Sequence, residues 1–179
     1  MALTLLIGGA RSGKSSLAVD IGNRHDAAGL PVSYVATAPD LDADMHARIE
    51  RHRNERPTSW STIEEEVDLV GAIDACGEGL VIIDCLTLWV SNLLWREISS
   101  DDIAERASVA AQHAADRADP TVAITNEVGQ GVHPETELGR RYRDVLGRVN
   151  QTWAACADPA LLLVAGRAVR LDDPWQHLS

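Results

Sequence analysis

Short apolar runs alternate with longer segments of helical periodicity along this chain. An unbroken apolar run is typical of a strand that is buried on both faces of a parallel sheet, whereas apolar residues three and four apart indicate a helix. The runs predict strands over residues 3–7, 32–38, 80–83, from 121 onward, and finally over 160–166. The alternation therefore predicts an α/β fold, with a mostly parallel sheet flanked by helices.

The segments between these strands predict helices. Periodicity indicates helices over residues 14–24, after 84, over 99–119 and over 138–158, with Ser100 or Asp101 capping the third. Residues 60–75 are also predicted to be helical, with Thr62 as N-cap and Glu65 completing a capping box. We expect residues 1–179 to form one domain, with a poorly ordered tail over residues 172–179.

The stretch from Gly8 to Ser15 carries a phosphate-binding motif. It fits the pattern G-x-x-x-x-G-K-[ST] at Gly8, Gly13, Lys14 and Ser15, between a predicted strand and a predicted helix. In this motif backbone N–H groups surround phosphate oxygens, the lysine reaches the β- and γ-phosphates, and the hydroxyl holds Mg²⁺. Lys14 is also the only lysine in the chain. The sequence therefore predicts a site for a nucleoside triphosphate with Mg²⁺.

Polar residues follow three of the predicted strands. Asp84 ends the run 80–83 as the acid of a Walker B strand does, and we expect it to reach the Mg²⁺ site. Residues 36–38 end another strand, while Asn126 and Glu127 begin a glycine-rich loop. Because ligands bind beyond the carboxyl ends of parallel strands, we expect these positions to lie near the phosphate loop. For Thr37 alone, an ordinary strand end is an equally good interpretation.

The segment over residues 40–57 contains two candidate nucleophiles. His52 lies between Arg51 and Arg53 near the end of a predicted short helix, and a neutral imidazole there can attack phosphorus to give a phosphoramidate. On the pattern alone, a surface histidine is the simpler interpretation. His46 is the second candidate. Neither histidine belongs to a metal-binding motif, so no metal site is expected in this segment.

Composition narrows the classes of function. The net charge of −11 argues against a nucleic-acid partner, although the arginines within residues 140–148 leave local anion binding open. No apolar run approaches the roughly 18 residues that span a bilayer, and the first residues lack the basic region of a signal peptide. Cys76, Cys85 and Cys156 form no paired motif, which indicates free thiols in a reducing cytoplasm.

A set of longer motifs extends from Leu3 to about Leu171. They are GGARSGKS, YVATA, D-x-D-M-x-x-R-I-x-x-H-R-x-x-R-P, W-x-T-x-E, D-C-L-T-L-W-x-S-N-L-L, T-N-E-V-G-x-G-V-x-P and L-G-R-x-Y-R-D-x-x-G-R-x-N-Q. Together they resemble the bifunctional adenosylcobinamide kinase / adenosylcobinamide-phosphate guanylyltransferase family of cobalamin biosynthesis. The resemblance implies that a nucleoside triphosphate phosphorylates the aminopropanol hydroxyl of adenosylcobinamide. GTP then transfers GMP to that phosphate through a guanylylated histidine, and pyrophosphate leaves.

The resemblance also implies roles for individual residues. It assigns the guanylylated histidine to His52, beside Lys14 as the second catalytic residue, and Mg²⁺ is expected on Ser15 and Asp84. It places nucleotide contacts on Gly8, Gly9, Ala10, Arg11, Ser12, Gly13, Lys14, Ser15, Ala36, Thr37, Ala38, Arg53, Asn54, Glu55, Arg56, Glu64 and Asp84. GTP and ATP are the expected nucleotide substrates, in a cytoplasmic homotrimer with sites near subunit boundaries.

Two features depart from the family pattern. Arg51 stands where some members have a second histidine, and the tail is longer than the core pattern needs. A P-loop kinase acting on another small molecule is the alternative enzyme, and it would need no nucleotide bound covalently to protein. A nucleotide-dependent switch is the non-enzymatic alternative, and it would release neither pyrophosphate nor diphosphate when offered cobinamide.

Overall fold

The computed structural model describes residues 3–39, 50, 53 and 56–178, and the predicted helix over 40–57 lies largely outside them. The strands are β1 (Leu3–Gly8), β2 (Val32–Ala36), β3 (Ser61–Glu64), β4 (Leu80–Asp84), β5 (Thr121–Asn126), β6 (Ala160–Val164) and β7 (Arg167–Leu171). The helices are α1 (Lys14–Ala27), α2 (Leu69–Ala75), α3 (Leu86–Trp95), α4 (Ser100–Ala115), α5 (Glu137–Cys156) and a short 3₁₀ helix (Pro174–His177).

The seven strands form one sheet in the order β3-β2-β4-β5-β1-β6-β7. All neighbours pair in parallel except β6 and β7, which are antiparallel. The register pairs Gly8 with Asn126, and Ala36 with both Glu64 and Asp84. The carboxyl ends of β1, β2, β3, β4 and β5 therefore meet at one edge of the sheet, as the predicted α/β fold requires.

Two apolar clusters cover the two faces of the sheet. Neighbouring strand residues alternate between them, since Leu5 and Ile83 belong to one cluster while Leu6 and Ile82 belong to the other. Successive strand side chains point to opposite faces, so only a continuous apolar run can supply both clusters at once. This explains why the strand prediction from unbroken apolar runs is correct for the centre of the sheet.

The prediction of one helix over residues 60–75 is wrong. Residues 61–64 form β3, and α2 begins only at Leu69. The Glu65 carboxylate accepts hydrogen bonds from the backbone N–H of Val67 at 2.8 Å and of Asp68 at 2.9 Å, which turns the chain between the two elements. The N-cap is Asp68, whose carboxylate accepts from the Gly71 N–H at 3.0 Å. Thr62 instead lies in a strand paired with β2.

Two other boundaries differ from the predictions. Ser99 caps α4 by accepting a hydrogen bond from the Asp102 N–H at 3.1 Å, in place of Ser100 or Asp101. The strand over 160–166 is not the last, because a turn at Ala165 and Gly166 leads into β7. Beyond β7, Pro174–His177 form the 3₁₀ helix within the segment 172–179, whose poor order stays a prediction. Within the described part of the chain, no helix is long and apolar enough to cross a membrane.

Candidate functional site

The phosphate loop connects β1 to α1 and encloses the side chain of Lys14. The loop turns through left-handed backbone conformations at Arg11, with φ 56°, and Gly13, with φ 102°. The buried Lys14 ammonium donates to the carbonyl oxygens of Gly8 at 2.9 Å and Gly9 at 2.7 Å, and to Ser12 Oγ at 3.3 Å. Burial lowers the pKa of Lys14, while the nearby Cys85 and Asp84 act to raise it. A compact cation is therefore held inside the loop, next to the Walker B acid.

Neighbouring strands hold the phosphate loop in place from both sides. The Glu127 N–H, just beyond β5, donates to the Gly8 carbonyl at 3.1 Å, and the Gly166 N–H, just beyond β6, donates to the Ser12 carbonyl at 2.9 Å. A Cβ at Gly8 would lie 2.3 Å from the carbonyl oxygen of Leu163. Only glycine fits where β1 and β6 approach each other this closely. Packing therefore explains the first glycine of the motif.

Asp84, at the carboxyl end of β4, is fixed by a tyrosine. The Tyr34 hydroxyl donates to Asp84 Oδ2 at 2.5 Å. Burial and the adjacent carboxylate raise the pKa of Tyr34 well above its usual value, so the phenol keeps its proton. The guanidinium of Arg56 stacks on the same ring, with Cζ 3.9 Å from the ring centroid. Residues from three sequence motifs are thus in consecutive contact, with Arg56 on Tyr34 and Tyr34 on Asp84.

Thr37 joins the ends of β2 and β4. It is fully buried, and its hydroxyl donates to the Cys85 carbonyl at 2.7 Å and accepts from the Cys85 N–H at 2.8 Å. The Thr37 N–H donates to the Asp84 carbonyl at 3.0 Å. Asn92, on α3, donates to the Thr37 carbonyl at 2.8 Å. These bonds give Thr37 a structural role in placing Asp84, and its expected nucleotide contact stays a prediction.

The basic residues after the candidate nucleophile lie beside this edge of the sheet. Arg53 forms ion pairs with Glu50, at 3.0 Å, and with Glu64, at the end of β3. Arg56 has Nε and Nη1 buried, and neither has a hydrogen-bond partner within the described part of the chain. Its charge and free N–H groups suit an anionic ligand. The other predicted residues of the segment (His46, His52, Asn54 and Glu55) lie outside the described residues.

The end of β5 is tied to both flanking helices. The Asn126 N–H donates to Thr87 Oγ1, on α3, at 2.8 Å. Asn150, on α5, donates to the Asn126 carbonyl at 3.0 Å and accepts from the Thr125 hydroxyl at 2.7 Å. Half-buried Asn126 and Glu127 therefore stand at a rigid position beside the phosphate loop.

Sequence reasoning missed the polar residues that organise this edge. They are Tyr34, Thr87, Asn92 and Asn150, each buried and hydrogen-bonded at or near a strand end. Each of them is a polar residue inside an otherwise apolar run or stripe, and this pattern is the signal that could have identified them. A buried polar group has to be paired, so such a residue marks a fixed contact.

The oxygen donors available at this edge fit Mg²⁺. In phosphoryl-transfer sites Mg²⁺ keeps several waters and takes only one or two protein oxygens beside the phosphates. Half-buried Asp84 has one carboxylate oxygen held by Tyr34, and Ser15 offers a half-buried hydroxyl in the first turn of α1. No cluster of three or more His, Cys, Asp or Glu side chains occurs among the described residues, so a site built from protein ligands alone is absent there.

Comparison with known proteins points to one family. A family model described as CobU, cobinamide kinase / cobinamide phosphate guanyltransferase, matches residues 4–171. The chain is 35% identical over 187 residues to the bifunctional adenosylcobalamin biosynthesis protein CobU of Salmonella typhimurium, covering 94% of this chain and 99% of that protein. It is 38% identical over 184 residues to CobU of Escherichia coli, with the same coverage, and 38% identical over 164 residues to CobP of Pseudomonas aeruginosa, covering 90% and 92%.

Solved structures share the fold at much lower identity. The flagellar accessory protein FlaH from Methanocaldococcus jannaschii aligns with a TM-score of 0.53 at 14% identity, over 96% of this chain and 78% of that one. A KaiC-like protein from Pyrococcus horikoshii aligns with a TM-score of 0.51 at 16% identity, over 90% of this chain and 70% of that one. These matches support a P-loop NTPase-like fold.

Proposed function

This chain belongs to the cobinamide kinase / cobinamide phosphate guanyltransferase family, and we propose that its single phosphate loop serves both reactions of that family in turn. The protein is an adenosylcobinamide kinase and adenosylcobinamide-phosphate guanylyltransferase of cobalamin biosynthesis. The observation that carries the proposal is the meeting of Lys14, at the start of α1 after β1, and Asp84, at the end of β4, at one edge of the sheet. A triphosphate bound there lies at the carboxyl ends of five strands.

In the kinase step, the aminopropanol hydroxyl of adenosylcobinamide attacks the γ-phosphorus of ATP or GTP. A new O–P bond forms, the bond from the γ-phosphorus to the bridging oxygen breaks, the nucleoside diphosphate leaves, and the hydroxyl proton passes to water. Lys14 and the N–H groups of the loop stabilise the charge that develops on the phosphate oxygens. Ser15 and Asp84 would hold Mg²⁺, which when bound offsets negative charge on the triphosphate.

In the guanylyl transfer, a ring nitrogen of His52 attacks the α-phosphorus of GTP, and pyrophosphate leaves. The resulting phosphoramidate then gives GMP to the phosphate of adenosylcobinamide phosphate, which frees the imidazole. Two described neighbours in sequence support this role: Arg53 and Arg56 place positive charge near the sheet edge, where it suits an anionic substrate.

Labelling with α-³²P GTP tests the proposal. We expect the wild-type chain to take up label that is lost in acid and kept in alkali, and the label to pass to adenosylcobinamide phosphate when that acceptor is added. His52→Ala should abolish the protein-bound label, whereas His46→Ala, a matched histidine from the same segment, should keep it.

Three results would contradict it. Label retained in His52→Ala would show that His52 is not the nucleophile. Label lost only in His46→Ala would identify His46 as the nucleophile instead. Transfer of γ-label to product with no α-label on protein would favour a kinase acting on a small molecule alone.

The proposal includes the setting in which the enzyme works. We place it in the cytoplasm, which agrees with three free cysteines and with nucleotide substrates. The resemblance supports a homotrimer of chains that each form one domain over residues 1–179.

A further inference from the structure

Tyr34 stands between two charged groups at the carboxyl edge of the sheet. Its hydroxyl meets Asp84 and its ring face meets Arg56. We propose that Tyr34 is a positioning residue, which orients the Asp84 carboxylate for the metal-bound triphosphate and is itself held by Arg56. This inference rests on the proposed function, because it concerns the nucleotide that both reactions use.

The tyrosine ring is fixed from several sides. Tyr34 is 4% exposed, and its ring belongs to the apolar cluster that contains Val32, Trp60 and Ile82. Arg56 covers a ring face at a distance typical of a cation–π contact. Because the ring cannot turn away without opening this cluster, its hydroxyl points at one acceptor, Asp84 Oδ2, at 2.5 Å.

The hydrogen bond from the Tyr34 hydroxyl occupies one of the two oxygens of the Asp84 carboxylate. With Oδ2 accepting from Tyr34, the carboxylate plane of Asp84 is set, and its remaining lone pairs are available to a cation. A ligating carboxylate normally has an outer partner of this kind, and removing such a partner typically costs about 10–100-fold in metal affinity or activity. Tyr34 supplies that partner here.

Arg56 belongs to the same sequence segment as His52. Arg56 lies four residues beyond His52 in sequence, and its Nε and Nη1 are buried without a hydrogen-bond partner among the residues described. An anion drawn to this guanidinium therefore meets a group that is stacked on the residue positioning Asp84. Tyr34 is thereby in contact with both the Asp84 carboxylate and the Arg56 guanidinium.

Binding of Mn²⁺ tests the proposal without catalysis. Free Mn²⁺ is counted by electron paramagnetic resonance as it is added to the full chain with the α,β-methylene analogue of GTP, which cannot transfer GMP. Tyr34→Phe removes only the hydroxyl, and we expect it to weaken Mn²⁺ binding by about tenfold or more. Tyr142→Phe is the matched control: its hydroxyl bonds the Thr87 carbonyl, at 3.4 Å, and not a carboxylate. We expect that control to stay within about twofold of wild type.

A double-mutant cycle separates positioning from a general effect on folding. In an Asp84→Asn background, Tyr34→Phe should cause no further loss of Mn²⁺ binding, because the group through which Tyr34 acts is gone. The inference is overturned if Tyr34→Phe binds Mn²⁺ as wild type does, or if it weakens binding equally in both backgrounds. Failure of the wild-type chain to take up α-label would instead overturn the proposed function, while the Mn²⁺ comparison would keep its meaning.

Discussion

Gly8, the last residue of β1, packs closely against β6 where the phosphate loop begins. A methyl group there would lie 2.3 Å from the Leu163 carbonyl oxygen, while one at Gly9 would meet no heavy atom within 4 Å. The two adjacent glycines therefore differ in what they demand of the backbone, although the sequence motif treats only the first as fixed.

We expect Gly8→Ala to lower the free energy of unfolding by about 1–3 kcal/mol, because β6 has to move away from the added methyl group. Gly9→Ala is the matched control and should change it by less than about 0.5 kcal/mol. Urea denaturation followed by circular dichroism measures both variants. Equal loss in the two would show that the contact with β6 does not govern the choice of glycine.

At the level of single residues, the sequence predicted those with a direct chemical signature. Gly8, Gly13, Lys14, Ser15 and Asp84 occur at spacings that phosphate binding explains, and the structure places them at one edge of the sheet. Tyr34 and Asn92 could not be assigned in this way. Their roles depend on partners 50 and 55 residues away in sequence, which only the sheet order brings together.

The region between β3 and α2 shows how a single element was misjudged. A run of three glutamates followed by apolar periodicity is typical of a helix start, yet residues 61–64 join the sheet as an edge strand. Pairing with β2 supplies backbone hydrogen bonds that local propensity does not reveal. The helix starts only where Asp68 can cap it.

The two candidate caps give different expectations for stability. Asp68→Ala should lower the free energy of unfolding by about 0.5–2 kcal/mol, because it removes the acceptor for the Gly71 N–H. Thr62→Ala should lower the free energy of unfolding by only about 0.2–0.5 kcal/mol, since Thr62 is exposed on the strand. Chemical denaturation of both variants at one pH decides between them. A larger loss for Thr62→Ala would restore the helix that the sequence predicted.

At the scale of the whole molecule, the sequence predicted the five inner strands of the sheet but not the two edge strands, β3 and β7. Five central strands follow from unbroken apolar runs, because a strand covered on both faces has no polar side to show. All five residues of β7 are exposed. The strand therefore has no buried face, and no apolar run or alternation in the sequence indicates it. Its place depends on the tight turn at Ala165 and Gly166, both of which adopt positive φ.

The proposed assembly is tested on the intact chain. Sedimentation equilibrium should give three times the chain mass of 19.3 kDa at micromolar concentration. Val164, Val169 and Trp175 are large apolar side chains that are more than half exposed in the single chain, which is compatible with association. A single-chain mass that persists as concentration rises would contradict a trimer.

The β6–β7 hairpin has a consequence for how this enzyme can be shortened or extended. Leu163 packs against Gly8, and the Gly166 N–H donates to the Ser12 carbonyl. Strand β6 and the turn after it therefore support the phosphate loop. Trimming the carboxyl terminus back into this hairpin would loosen nucleotide binding at the opposite terminus, even though no trimmed residue belongs to the phosphate-binding motif. Substitutions within the 3₁₀ helix (Pro174–His177) leave these contacts with Gly8 and Ser12 intact, so they should affect nucleotide binding less.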